Sequence, residues 1–212
     1  PVGPSAKVRG REAAESLKSL FEFVASHLDL KIDVHFSDGS QPIGRGVGPV
    51  LEARDVMAVL KGAAEAPEDL KEKSIRLAGR LLETDKDVLS GQGVARARHL
   101  LASGAAARKF MEIAEAQGPS PLNKGLGTLT YEVPAKADGV VTAIDCLRIA
   151  RIARLAGAPT DAGAGIDLCR KVGEPVRKGE PLYRIHGFDA SDHAFAVEAA
   201  VEDPGVSLDA GI

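Results

Sequence analysis

Apolar and polar residues recur with two different periods along the chain, and the periods predict helices in some segments and strands in others. A helix is predicted over residues 11–28, where apolar side chains recur at helical spacing: Leu17, Leu20, Phe21, Val24 and Leu28. A half-buried strand is predicted next, because Ile32, Val34 and Phe36 alternate with polar neighbours. A single strand cannot form a sheet, so we expect its partners to lie outside this part of the chain.

The same patterns predict the remaining elements and a division into two parts. Helices are expected over residues 49–60, 146–156 and 191–201, with two or three more between 68 and 117, and strands over 129–133 and 140–144. The composition changes at Gly118, Pro119, Ser120 and Pro121, which predicts a boundary there. The predicted fold class is α+β: an incomplete α/β piece over residues 1–118, then an α+β domain over residues 119–212.

Residues 157–186 carry turn signals between short apolar runs, which is typical of a compact, much-folded β unit. Glycine tolerates a positive φ, so chain reversals are predicted at Gly173 and Gly179. The positions predicted to be buried are Val172, Val176, Leu182 and Ile185. The pattern indicates a β-hammerhead or barrel-sandwich unit, the architecture of biotinyl and lipoyl carriers.

Composition and charge exclude several classes of partner. The 212 residues carry 27 basic and 30 acidic side chains, a net charge of −3, which gives no overall field favouring nucleic acid or an anionic membrane. The sequence shows neither a membrane-length apolar run nor a signal peptide, and Cys146 and Cys169 lack metal or redox spacing. We therefore expect a cytoplasmic protein with reduced cysteines. The opening at Pro1, without methionine, looks like a cut through a longer protein.

The glycine-rich segment with Gly44, Gly46 and Gly48 follows the predicted strand and precedes a helix, and it allows three interpretations. A phosphate loop is one, although the spacing matches neither the dinucleotide fingerprint nor a P-loop. A tight turn is the second, and spacing alone favours it. A cation loop is the third, because glycine-bent backbone can aim carbonyl oxygens inward while Glu52 or Asp55 adds a carboxylate.

Other candidate residues give weaker signals. Lys136 precedes an Asp-Gly turn, as an attachment lysine of a carrier domain would, but a solvent-exposed lysine fits its neighbours better. The histidines lack metal-ligand spacing, and neither a Ser–His–Asp arrangement nor a nucleophile elbow can be assigned. These histidines are His27, His35, His99, His186 and His193.

Two long motifs resemble the thymidine and pyrimidine-nucleoside phosphorylases. Residues 38–55, DGSQPIGRGVGPVLEARD, are similar to that family's S-D-x-S-Q-P-[LI]-G segment and the helix after it. The blocks at 135–141, 156–166 and 178–182 look like its C-terminal domain, and the opening at 1–7 looks like a glycine loop of its central domain. The longer branch that includes AMP phosphorylases is especially similar. The resemblance implies that residues 1–118 end a central α/β domain and residues 119–212 form a C-terminal hammerhead domain.

The resemblance also implies an activity, a pentosyl transfer in which thymidine and phosphate give thymine and 2-deoxyribose 1-phosphate. An AMP phosphorylase, releasing adenine and ribose 1,5-bisphosphate, is the alternative within the family. A biotinyl or lipoyl carrier, or a structural binding module, is the alternative outside it. The family's phosphate loop and base-gripping residues lie upstream of Val2, so neither catalytic nor phosphate-binding residues are assigned. We expect the 212-residue chain to be inactive alone and the full-length protein to be a homodimer that binds phosphate and a nucleoside or nucleotide.

One site of the family can be carried over by the resemblance. A monovalent cation, K⁺, is held there partly by two backbone carbonyls of the Q-P-[LI]-G loop and a downstream carboxylate. The matching positions are Ile43, Gly46 and Asp55. Aspartate is one methylene shorter than the family's glutamate, and the other ligands lie upstream, so the expected site is weak or empty.

Overall fold

The computed structural model describes residues 1–118 and 125–209. The predicted boundary after Gly118 falls beside residues 119–124, which lie outside the described residues, and the two-domain division stays a prediction. Below, residues 1–118 are called the helical region and residues 125–209 the β region. The described elements are, in order, α1 (Arg11–His27), β1 (Gly46–Val47), α2 (Pro49–Lys61), α3 (Glu68–Leu82), α4 (Gly93–Ala102), α5 (Ala105–Gln117), β2 (Leu129–Pro134), β3 (Gly139–Ile144), α6 (Cys146–Leu155), β4 (Gly165–Leu168), β5 (Pro175–Val176), β6 (Pro181–Gly187), α7 (Ala190–Glu202) and β7 (Val206–Asp209).

The mixture of helices and antiparallel strands confirms the α+β prediction. One sheet has the order β1-β4-β6-β2 and a second has the order β5-β3-β7, with every neighbouring pair antiparallel. Gly173 and Gly179 adopt φ of +90° and +87°, which confirms the predicted reversals on either side of β5. Val176, Leu182 and Ile185 are buried as predicted, and Val172 is partly buried against the same core.

Local signals explain where several helices begin. The Asp145 carboxylate accepts hydrogen bonds from the N–H groups of Leu147 and Arg148, so it caps α6. Asp189 caps α7 in the same way. Pro49 occupies the first turn of α2, where a missing N–H costs little, and Gly62 ends that helix with a φ of +66°.

The predicted strand over residues 32–36 is wrong. This stretch forms neither helix nor strand. Arg80 pairs with Asp33 and the Arg11 guanidinium lies over the Phe36 ring, while the backbone nearby makes isolated bridges from Val2 to Val8 and to Asp38. A strand needs a neighbour to accept its backbone hydrogen bonds, and the part of the chain that the structure describes places none beside residues 32–36. The alternating pattern is therefore present without the ladder that it predicts.

The core lies in the β region. Buried side chains of both sheets meet those of α6 and α7, and the largest include Ile149, Ile152, Tyr183 and Ile185. α2 lies against this core through β1 and β4, because Leu51 is buried beside Gly165. No helix within residues 1–118 and 125–209 is long and apolar enough to cross a membrane.

Candidate functional site

The candidate site is the segment at residues 41–48, called the glycine loop, which leads through β1 into α2. Gly44 and Gly48 have φ of +70° and +134°, a region that side chains disfavour. Gly46 lacks room for a side chain, since a Cβ there would lie 2.5 Å from the carbonyl oxygen of Leu51. The loop therefore depends on glycine for its path, as the tight-turn interpretation expects.

Two carboxylates receive the N–H groups of the glycine loop. Oδ2 of Asp55 accepts hydrogen bonds from the N–H groups of Arg45 and Gly46, both at 2.7 Å, and Oδ2 of Asp69 accepts one from Gly44 at 3.2 Å. Three consecutive N–H groups are thus directed to acidic side chains of the protein itself. A phosphate loop needs such groups for its anion, so this arrangement does not favour the phosphate interpretation.

Asp55 has little capacity left for a further partner. The residue is 4% exposed, and its Oδ1 accepts hydrogen bonds from Nε and Nη2 of Arg54 at 3.3 and 3.1 Å. A carboxylate offers about four lone-pair sites, and here all four face N–H donors. The carboxylate holds the loop to α2.

The three residues predicted as cation ligands do come together. Ile43, Gly46 and Asp55 line one open cavity of about 320 Å³. A hard cation needs free oxygen ligands, whereas the Asp55 oxygens face N–H groups, so the arrangement does not fit a cation held by Asp55. Within residues 1–118 and 125–209 there is no group of three or more His, Cys, Asp or Glu side chains that could hold a metal ion. Ligation by these residues stays a prediction.

A lysine that the sequence did not single out lies on the other side of the glycine loop. Nζ of Lys171 donates to the carbonyl oxygens of Pro42 and Gly44, the latter at 2.8 Å, and pairs with Oδ2 of Asp69 at 3.0 Å. Lys171 lies more than 120 residues away in sequence, and nothing in its local pattern indicates this contact. Only the fold brings it to the loop.

Further polar contacts fix the glycine loop against β4 and the turn after it. Nη1 of Arg45 donates to the carbonyl oxygens of Leu168 and Cys169 at 3.3 and 3.2 Å, and the N–H of Val172 donates to Oε1 of Gln41 at 3.1 Å. Since β1 also pairs with β4, the loop is joined to the β region through backbone and side chains alike.

Arg54 adds an ionic link between α2 and β4. Its guanidinium makes a bidentate pair with Asp167 at 2.7 and 2.8 Å while also contacting Asp55. The hydrogen bonds to Asp167, followed by its charge and by Asp55, raise the pKa of Arg54 above its ordinary value. The sequence signal that could have revealed this link is only the adjacency of Arg54 and Asp55.

Lys136 is not placed as an attachment lysine would be. It lies between β2 and β3, which belong to different sheets and are not paired with each other, and its Nζ donates to the carbonyl oxygen of Val201 at 3.3 Å. A carrier presents its lysine at the tip of a protruding hairpin. The geometry therefore does not favour the carrier interpretation.

The histidines and cysteines form no site together. His186 is 6% exposed, with Nδ1 3.3 Å from the carbonyl oxygen of Gly127, and His27 contacts its own helix through the carbonyl oxygen of Phe23. Cys146 and Cys169 are free and half-buried, which agrees with the prediction of reduced thiols. Burial raises the pKa of the Cys169 thiol, which keeps it protonated and poorly nucleophilic.

Comparisons with known proteins match these residues to one family. Residues 140–204 match the family model described as "Pyrimidine nucleoside phosphorylase C-terminal domain". A Rhodopseudomonas palustris protein named "Putative thymidine phosphorylase" is 55% identical over 208 residues, 98% of this chain and 40% of that protein. Proteins of the same name from Bradyrhizobium diazoefficiens and Albidiferax ferrireducens are 53% and 54% identical over 99% and 98% of this chain, and 41% and 40% of their own lengths.

The chain spans about two fifths of the length of the curated relatives it matches. The match covers the glycine loop and the β region alike, which agrees with the resemblance found in residues 38–55 and in the distal blocks. The chain belongs to the pyrimidine nucleoside phosphorylase family, of which it matches the C-terminal portion.

Proposed function

We propose that this chain is the C-terminal part of a pentosyltransferase that cleaves thymidine with phosphate, giving thymine and 2-deoxyribose 1-phosphate. The observation that carries the proposal is the match of 98% of the chain, at 55% identity, to a relative whose name is that of a thymidine phosphorylase. Phosphate and a nucleoside are then the substrates of the whole protein. A homodimer and a cytoplasmic location stay predictions.

The geometry of the helical region is consistent with a chain that works within a larger protein. Leu20 and Phe23 on α1 are 58% and 63% exposed, and Leu28, Leu30 and Ile32 continue the same apolar exposure. Burying large apolar side chains is favourable, so packing this stretch against another part of the protein would stabilise it. An upstream α/β part would supply that surface and the partners for residues 32–36.

In the proposed enzyme, the β region and the glycine loop form one wall of the cleft where the nucleoside is cleaved. Cleavage of the C–N bond passes through an oxocarbenium-like sugar, which water would trap. A rigid wall that closes on the substrates excludes that water. The residues that contact phosphate and base belong, in this proposal, to the upstream part.

The test is a phosphorolysis assay on the full-length protein. Thymine release from thymidine is measured with and without phosphate, and adenine release from AMP is measured in parallel. Phosphate-dependent thymine release is expected from the full-length protein, and none is expected from residues 1–212 alone. The phosphate-free reaction is the control, because it separates phosphorolysis from simple hydrolysis.

Three outcomes would count against the proposal. Adenine release from AMP without thymine release would move the substrate to AMP and leave the reaction class intact. Failure of the folded full-length protein to cleave either substrate would favour a structural binding role, and thymine release by the 212-residue chain alone would contradict the assignment of catalysis to the upstream part.

A further inference from the structure

Lys171 is an almost fully enclosed cation on the carbonyl side of the glycine loop. The residue is 9% exposed, and its ammonium group has three N–H donors. These meet the carbonyl oxygen of Pro42, the carbonyl oxygen of Gly44 at 2.8 Å and Oδ2 of Asp69 at 3.0 Å. Each donor therefore has an acceptor, and Asp69 supplies the opposing charge that a buried ammonium needs.

The acceptors around Lys171 are the types that bind a hard cation. Backbone carbonyls and a carboxylate make up such sites in proteins. The left-handed conformation of Gly44, with φ of +70°, sets the direction of its carbonyl group, and the oxygen of Pro42 converges with it on the same nitrogen. Two converging carbonyl oxygens repel each other unless a positive charge lies between them.

The backbone of Lys171 is fixed as well as its ammonium group. Its N–H donates to Oε2 of Glu174 at 2.9 Å, and the N–H of the next residue, Val172, donates to Gln41 at the start of the glycine loop. The positive charge thus stands on a turn that is itself held in place. An ion from solution has no such tether and loses translational entropy each time it binds.

We propose that Lys171 is a tethered cation that orders the glycine loop, in the place where a free monovalent metal ion would otherwise neutralise the converging carbonyl groups. Asp55 and Asp69 hold the N–H groups of the loop, while Lys171 holds its carbonyl groups. The loop is therefore ordered without K⁺. This inference rests on the contacts of Lys171 and does not depend on the proposed function.

The test compares cations at constant ionic strength in the purified full-length protein. The melting temperature and the hydrogen-exchange protection of the N–H groups at residues 44–46 are measured in KCl and in tetramethylammonium chloride, whose cation is too large for the site. The wild-type protein is expected to give the same result in both salts. Lys171→Ala is expected to exchange these N–H groups at least tenfold faster, with protection regained in K⁺, Rb⁺ or NH₄⁺ in a saturable way.

Two further variants isolate the role of the charge. Lys171→Met fills the space without a charge. We expect faster exchange of the loop N–H groups in this variant, and we expect that small cations do not restore the protection. Lys178→Ala removes an exposed lysine of the same region, and unchanged protection is expected. The proposal is overturned by a saturable K⁺ stabilisation of the wild type, by unchanged protection in Lys171→Ala, or by loosening in that variant which no small cation reverses. The wild-type comparison stands even if the variants fold poorly.

Discussion

Helix α1 of the helical region and helix α6 of the β region have similar apolar spacing in sequence, but their apolar side chains are buried to very different extents. In α6, the inward residues Ile149 and Ile152 are fully buried against the sheets and α7. In α1, only Ala14 and Ala25 are buried, while the large apolar side chains of the same helix stay exposed. Residues of α2, α3, α4 and α5 also line an open apolar cavity of about 340 Å³. Helical periodicity thus indicates a surface to be covered, and the described residues supply the covering elements for α6 but not for the exposed face of α1.

The largest difference in stability effects between the two regions is expected from a matched pair of side-chain truncations. Ile152→Ala removes a fully buried side chain from the main core and is expected to lower the free energy of unfolding by about 2–5 kcal/mol. Leu20→Ala, on the exposed face of α1, is expected to change it by less than about 0.5 kcal/mol in the 212-residue chain. Urea denaturation followed by circular dichroism measures both.

The same pair in the full-length protein tests why the regions differ. If an upstream segment covers α1, Leu20→Ala becomes destabilising there, while the effect of Ile152→Ala stays the same. An equal, small effect of Leu20→Ala in both proteins would contradict the idea that α1 awaits a covering surface.

A smaller loss of stability is expected from a substitution where the two regions join. Gly165 begins β4 with a φ of +151°, and a Cβ there would lie 2.2 Å from the carbonyl oxygen of Val47 in β1. Gly165→Ala must shift one strand away from the other, so we expect a loss of about 1–3 kcal/mol in stability and faster hydrogen exchange at β1.

Gly10→Ala is the matched control, because nothing lies within 4 Å of a Cβ there and its φ is −151°. A stability near that of wild type is expected for this variant. If Gly165→Ala proves equally neutral, the close approach of β1 and β4 is not what couples the two regions.

The smallest effect concerns a polar contact within the dense β region. The buried hydroxyl of Tyr183 donates to the carbonyl oxygen of Pro204 at 3.1 Å, which ties β6 to the segment before β7. Tyr183→Phe is expected to cost about 1 kcal/mol at pH 7, well below the loss from Ile152→Ala.

The pH dependence of that variant gives a second measurement. Burial raises the pKa of Tyr183, so the folded protein holds the phenolic proton after the unfolded chain has begun to lose it. The contribution of this proton to stability is complete below the ordinary pKa of 10 and declines as pH rises beyond it. Unfolding free energies from pH 7 to pH 11 should therefore converge for wild type and Tyr183→Phe, and parallel curves would contradict this account.

The elements that sequence predicted well are those whose signals are local. The sequence patterns of α1, α2 and α6 predicted their ends within a residue or two of the observed bounds. β1 and β7 were missed because each is short and is defined by a partner far away in sequence. The strand predicted over residues 32–36 failed for the converse reason, since its pattern was local but its partner is not in the described chain.

The candidate site shows the same limit at the level of single groups. The sequence spacing correctly predicted that Asp55 lies beside the glycine loop. It could not predict whether the N–H or the C=O groups of the loop face the carboxylate. The conformation at Gly44 and the contact with Lys171 decide that orientation, and Lys171 reaches the loop only through the complete β region. Peptide orientation is set by tertiary contacts, not by residue type.

The pairing of β1 with β4 has a practical consequence for dissecting this protein. Gly46 and Val47 lie opposite Asp167 and Ile166, so one of the two edge strands of the larger sheet is supplied by residues far upstream of the change in composition at Gly118. A clone that starts at that change would remove β1 from one side of β4, which stays paired with β6 on the other, and would leave the backbone N–H and C=O groups on the β1 side unpaired. Unprotected edges of this kind template intermolecular pairing. A shortened version intended for crystallisation should therefore keep residues 41–61, or it will tend to aggregate.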